Sequence, residues 1–179
     1  MKFKFDPQKH HRRSIRLKEY DYSSNGAYYL TIVTQNREHL FGNIAKEMLL
    51  NDAGEMLVKW WNELPNKFPH VELGAKVVMP NHFHGIIFIV GANLRARPDE
   101  GSPRQRPNAP LSQMIQWFKT MTTNEYIRGV KQLNWKPFNG KLWQRNYYEH
   151  IIRNEKELQQ KTDYILDNPS RWDDDKENP

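Results

Sequence analysis

The segment Met79-Pro-Asn-His-Phe-His-Gly85 carries two imidazoles two residues apart. On a strand such residues share a face, so His82 and His84 project together with Ile86 and Phe88 following them, while Phe83, Ile87 and Ile89 fill the other face. A strand that is apolar on both sides is buried and makes a rigid mount for ligands. The two rings then form half of a clamp for a divalent metal. Polar residues beside a turn give the same short pattern, so a metal reading requires at least one more ligand from another element. The chain has no cysteine, which excludes disulfides, a thiolate zinc site and a cysteine nucleophile. His, Asp, Glu and Asn remain as ligands, and they favour Mg²⁺ or Mn²⁺.

A second group stands near the C-terminus. Tyr164 and Asn168 are four apart and share one face of a predicted helix, with Gln160 one turn earlier. A phenol there can face a phosphate while the carboxamide completes a metal site. An ordinary half-buried tyrosine followed by an Asn cap fits the same spacing.

The elements that position these groups follow from periodicity. Ala27 to Thr34 is aromatic and β-branched and reads as a strand. Glu47 to Leu64 has apolar residues at helical spacing, ended by Pro65. Val71 to Met79 and His82 to Val90 read as a hairpin joined at Pro80-Asn81. The stretch 91–110, with four prolines and four arginines, is expected to be a mobile loop. Leu111 to Ile127 is a helix and Trp143 to Ile152 a strand. The last helix spans Asn154 to Asn168, with Asn154 as its cap, Glu157 three residues later and Pro169 closing it; Leu158, Thr162, Ile165 and Leu166 face the sheet. This order predicts an α+β fold: an antiparallel sheet with helices packed on it, a ferredoxin-like sandwich.

The 179 residues fit one domain, 26–172, with a basic N-terminal arm over 1–25 and an acidic tail over 173–179. The net charge of +6 points to a polyanionic partner. Residues 1–20 hold seven Lys and Arg against Asp6 and Glu19, which makes Arg12, Arg13, Arg16 and Lys18 candidate phosphate contacts, with Lys119 on the long helix as another. No apolar run is long enough to span a membrane and the first residues lack a signal peptide's apolar core, so a cytoplasmic protein is expected.

Three ordered motifs carry a family resemblance: Asn81-His-Phe-His-Gly85, Trp143-Gln-Arg-Asn-Tyr-Tyr-Glu-His-Ile-Ile-Arg-Asn154, and Tyr164-Ile-Leu-Asp-Asn-Pro169. Together with His11-Arg-Arg-Ser-Ile-Arg-Leu17, they resemble the REP-associated tyrosine transposases, a branch of the single-tyrosine HUH transposases, over roughly residues 11–172. The resemblance implies a prokaryotic, nucleoid-associated enzyme, working as a monomer or homodimer, that recognises single-stranded DNA hairpins of the REP kind. It would cut beside them and rejoin the ends through a 5′-phosphotyrosine. By position, His82 and His84 match the HUH histidines, Tyr164 the nucleophile, and Asn168 the polar residue that helps bind metal. Glu149, His150 and Gln160 are candidates for orienting a histidine or a metal-bound water from behind. Tyr147 and Tyr148 are rival nucleophiles without a carboxamide partner. A non-catalytic RRM-like nucleic-acid binder and a metal-dependent nuclease using water remain as alternatives.

Overall fold

A computed structural model describes residues 20–45, 47–91 and 108–178. Residues 1–19 of the basic arm, with Arg12, Arg13, Arg16 and Lys18, and most of the 91–110 stretch therefore lie outside the described residues.

The central element is β1, Gly26–Val33, which pairs antiparallel with β5, His82–Ile89, on one side and with β6, Tyr148–Ile152, on the other. A further strand, β4 (Val71–Val78), pairs with β5, so the sheet order is β4-β5-β1-β6. Two long helices, α1 (Asp52–Asn62) and α3 (Leu111–Gln132), pack against each other on one face. The last helix, α4 (Glu155–Asp167), packs over β4 and β5 on the other. This is the β-α-β-β-α-β sandwich expected from the element order, with α4 added on the second face.

Alternation along β5 divides the core in two. Phe83, Ile87 and Ile89 join the large cluster beneath α1 and α3, whereas Ile86 and Phe88 join Tyr29, Ile152, Ile165 and Leu158 under α4. A Cβ at Gly85 would stand 2.5 Å from Trp61 Cζ2, so only glycine lets the indole lie flat on the backbone between the two core layers. That contact lies on the face of β5 opposite the histidines.

Several expectations change. Leu49 and Leu50 are not helical: they belong to β3 (Met48–Leu50), which pairs with β2 (Gly42–Ile44), and α1 starts only after Asn51. The Asn51 side chain accepts from Gly54 N at 2.9 Å, which places the helix start there despite the helical spacing upstream. Pro65 lies in the first turn of a four-residue helix, α2 (Leu64–Lys67). Of the predicted strand Trp143 to Ile152, only the second half is strand. Lys119 Nζ donates to the carbonyls of Gln144, Arg145 and Asn146, and so takes the groups that a strand would offer its neighbour.

The cap of α4 forms as expected. Asn154 Oδ1 accepts from Glu157 N, and Glu157 Oε2 accepts from Arg153 N, both at 2.9 Å. Ile165 and Leu158 meet the sheet, but Leu166, one residue round the helix from Ile165, is exposed. Pro169 does not end the helical path, because Asn168 keeps φ −57° and ψ −42° and the chain continues as a 3₁₀ segment over Asn168–Asp174. Among the described residues, no helix is long and apolar enough to cross a membrane.

Candidate functional site

His82 and His84 stand on the α4 face of β5 and are 0% and 2% exposed, with Nε2 atoms 3.0 Å apart. Their other ring nitrogens are held from behind. Asn81 Nδ2 donates to the backbone oxygens of Glu177 and Arg37, which turns Asn81 Oδ1 toward His82 Nδ1 at 2.8 Å. An amide oxygen only accepts, so His82 carries its proton on Nδ1 and offers a lone pair at Nε2. His84 Nδ1 lies 2.8 Å from Tyr29 Oη and 3.0 Å from Thr31 Oγ1. Hydroxyls can donate or accept, so they suit either tautomer of His84. One tautomer lets Nε2–H bond to His82, and the other frees Nε2 for a cation.

Burial, and for His84 the adjacent imidazole as well, pushes both rings down to about 3. They are thus neutral and ready to ligate at ordinary pH. A stability prediction follows. The folded-state values are depressed, so the stability the pair carries is present above the unfolded value near 6.5 and is lost as pH falls toward 3. Between these limits the unfolded chain takes up as many as two protons that the folded chain refuses. The slope expected from urea titrations of metal-free protein is up to about 3 kcal/mol per pH unit between these limits. The double variant His82→Gln/His84→Gln should flatten it; a slope independent of these residues would remove the buried pair as its cause.

The third group comes from beyond α4. Asp175 Oδ2 lies 4.0 Å from His82 Nε2, and His82, His84 and Asp175 offer ligand atoms within 4.8 Å of one another. Asn168 is buried beside them, donating from Nδ2 to Asp175 Oδ2 at 3.0 Å, while its Oδ1 is buried without a hydrogen-bond partner among the described residues. An orphaned carboxamide oxygen, a carboxylate oxygen and two imidazole lone pairs are a donor set that can hold a divalent cation. Asp175 escaped the sequence reading because it sits in Asp173-Asp174-Asp175, a run that resembles a solvated tail. The tail is instead fastened down: Glu177 N donates to Asp175 Oδ1, Arg37 pairs with Glu177, and Trp172 stacks over His82 with centroids 6.0 Å apart.

Tyr164 lies on the same face. Its ring centroid is 5.4 Å from that of His84 and the residue is 39% exposed. Burial and the Asp175 charge push its phenol above the ordinary value, against a smaller downward pull from Asn168 and Arg171. Tyr29, by contrast, is enclosed and pushed up above the tyrosine range by burial.

The other candidates separate by face. Pairing of Glu149 with Leu30 turns it toward α1 and α3, away from the histidines, whereas His150, opposite Tyr29, is on the site face but lies 3.5 Å from Glu157. Gln160 is exposed. Tyr148 is exposed with its ring 6.3 Å from that of Tyr29, and Tyr147 lies under the Lys119 ammonium. Lys119 itself is spent on loop carbonyls, and burial lowers it to about 8.

No protein-family model matches the chain. A protein of Haemophilus influenzae described only as uncharacterized is 40% identical over 98% of this chain and 97% of its own length. A second from the same organism, named "Putative REP-associated tyrosine transposase", is 26% identical over 83% of this chain and 73% of that protein. Among solved structures, a REP-associated tyrosine transposase bound to a REP hairpin superposes with a TM-score of 0.58 at 22% identity, covering 90% of this chain and 74% of that one. The chain resembles the REP-associated tyrosine transposases in sequence and in fold. The resemblance drawn from the motifs of the sequence thus holds at the level of family likeness and of the α+β sandwich.

Proposed function

We propose that the chain is a single-strand DNA transposase that recognises hairpin DNA, and cleaves and rejoins strands through a phosphotyrosine at Tyr164 beside Mg²⁺ or Mn²⁺. The carrying observation is the juxtaposition of one accessible phenol with a buried group of two imidazoles, a carboxylate and a carboxamide on one sheet face. The hairpin bound by the structural neighbour supports the substrate class.

In this reading Tyr164 Oη attacks the scissile phosphorus, the bond from phosphorus to the 3′ oxygen breaks, and the phenolic proton ends on the released 3′ hydroxyl. The 5′ phosphate stays on the tyrosine, and attack by a different 3′ hydroxyl reverses the step and joins strands. A divalent cation held by His82 and His84, with Asn168 or Asp175, would neutralise phosphate charge and favour departure of the 3′ oxygen. Asn81, Tyr29 and Thr31 hold the imidazoles in place from behind. Trp172 and the fastened tail close one side against water.

The test is incubation of the full chain with end-labelled single-stranded hairpin DNA and Mn²⁺, followed by denaturing gels. A protease-sensitive adduct carrying the 5′ end is expected. Cleavage to a free 5′ phosphate with no adduct at any time would replace this reading with hydrolysis.

A further inference from the structure

Along one flank of α3 runs an open groove of about 750 Å³ that the catalytic reading leaves unused. Its floor is a helical stripe, Ser112, Gln116, Lys119, Thr123 and Ile127, about 22 Å long at the rise of an α-helix. Its wall is the non-strand segment before β6, contributing Phe138, Lys141, Trp143, Arg145 and Tyr147. Among the described residues, no Asp or Glu lines it.

The chemistry of the lining is uneven in a useful way. Lys119 donates to the carbonyls of Gln144, Arg145 and Asn146 and thereby fixes the wall. With its three donors so used, it is a positioning residue. The charges left for a ligand are Lys141 and Arg145, which are exposed and have no carboxylate partner among the described residues. Gln116, Thr120, Thr123 and Asn124 add amides and hydroxyls along the floor, and the Phe138 and Tyr147 rings lie beside them. Cations along one rim with polar groups and rings within make a lining that suits a phosphodiester with unpaired bases.

The wall of the groove joins the sheet at Val33 and Thr34, the end of β1 that pairs with the histidine end of β5. Gln144 N donates to Val33 O at 2.9 Å, and Val33 is the register partner of His82. Tyr147 leads directly to Tyr148, whose exposed ring abuts Tyr29, itself bonded to His84.

We infer that this groove binds the unpaired DNA strand that carries the scissile phosphate, with Lys141 and Arg145 on its phosphates. The inference rests on the DNA-processing reading above for the polymer's identity, but its binding test does not depend on catalysis.

The test uses the full chain and the double variant Lys141→Ala/Arg145→Ala. Fluorescence anisotropy is measured with a labelled unpaired DNA oligonucleotide, with a blunt hairpin lacking unpaired flanks, and with RNA of the same unpaired sequence. Affinity for the unpaired DNA is expected to fall about tenfold, and its logarithmic salt slope to flatten by about 1.4, the value for two lost single-strand phosphate contacts. Binding of the blunt hairpin should change less than twofold. Unchanged affinity and slope for the unpaired DNA would overturn the inference, as would an equal loss for the blunt hairpin. Wild-type preference for the RNA by tenfold or more would overturn the assignment to DNA. An absent covalent adduct in wild-type protein would count against the transposase reading alone, since the anisotropy result stands without it.

Discussion

Tyr164→Phe is expected to abolish covalent attachment to DNA and to lower strand cleavage by at least about 10³-fold, while fold and hairpin affinity stay near those of the wild type. The substitution deletes one oxygen from a partly exposed ring, and the ring keeps its contacts with His84 and Tyr29. The structural cost should therefore not exceed about 1 kcal/mol, the worth of one ordinary hydrogen bond. The chemical cost is total, because no other accessible phenol has this placement: Tyr29 is enclosed and its hydroxyl is engaged with His84, and Tyr148 reaches the site only through Tyr29. The measurement combines single-turnover cleavage on denaturing gels with mapping of the DNA-linked peptide, which should span Thr162 to Leu166. An adduct at Tyr147 or Tyr148 would move the nucleophile to the segment that enters β6. Cleavage by Tyr164→Phe at the wild-type rate would make water the nucleophile and the protein a metal-dependent nuclease.

What the sequence made legible depends on the range of the interaction. The face of β5 that carries His82 and His84 was readable because alternation is a local rule, and the start of α4 was readable because Asn154 and Glu157 lie within one turn. Glu149 and His150 show the limit. Alternation guarantees that only one of them faces the site, but which one depends on the register of β6 against β1, and a one-residue slip exchanges them. The break at Gln144 to Asn146 was hidden for a similar reason, since it is made by Lys119, 25 residues or more away in sequence. Asp175 was the least legible. Its role requires that the chain continue through Asn168-Pro169 without leaving helical geometry, against the usual restriction on the residue before proline, and then turn back over His82.

The metal set supplies the second large effect, and it separates ligands from bystanders. His82→Ala or His84→Ala should reduce Mn²⁺ affinity by at least about 100-fold and eliminate the DNA adduct, with hairpin affinity changed by less than about threefold. Each removes one of two imidazole lone pairs, and a single imidazole with the remaining oxygen donors makes a much weaker site. The readout independent of catalysis is thermal. A cation that binds only the folded chain stabilises it by about 2.7 kcal/mol at 100 times its dissociation constant, so Mn²⁺ should raise the wild-type melting temperature and leave either variant unmoved. Asp175→Asn and Asn168→Ala then decide the third ligand. Asp175 brings a full charge to within 4.0 Å of His82 Nε2, and hard cations bind carboxylate more strongly than carboxamide oxygen, so Asp175→Asn should weaken Mn²⁺ by tenfold or more. Asn168→Ala removes both the orphaned Oδ1 and the donor that holds Asp175, and should weaken Mn²⁺ by a smaller factor through loss of that positioning. The reverse order would make Asn168 the ligand and Asp175 its support. An unchanged Mn²⁺ response in both histidine variants would remove the metal from the site altogether.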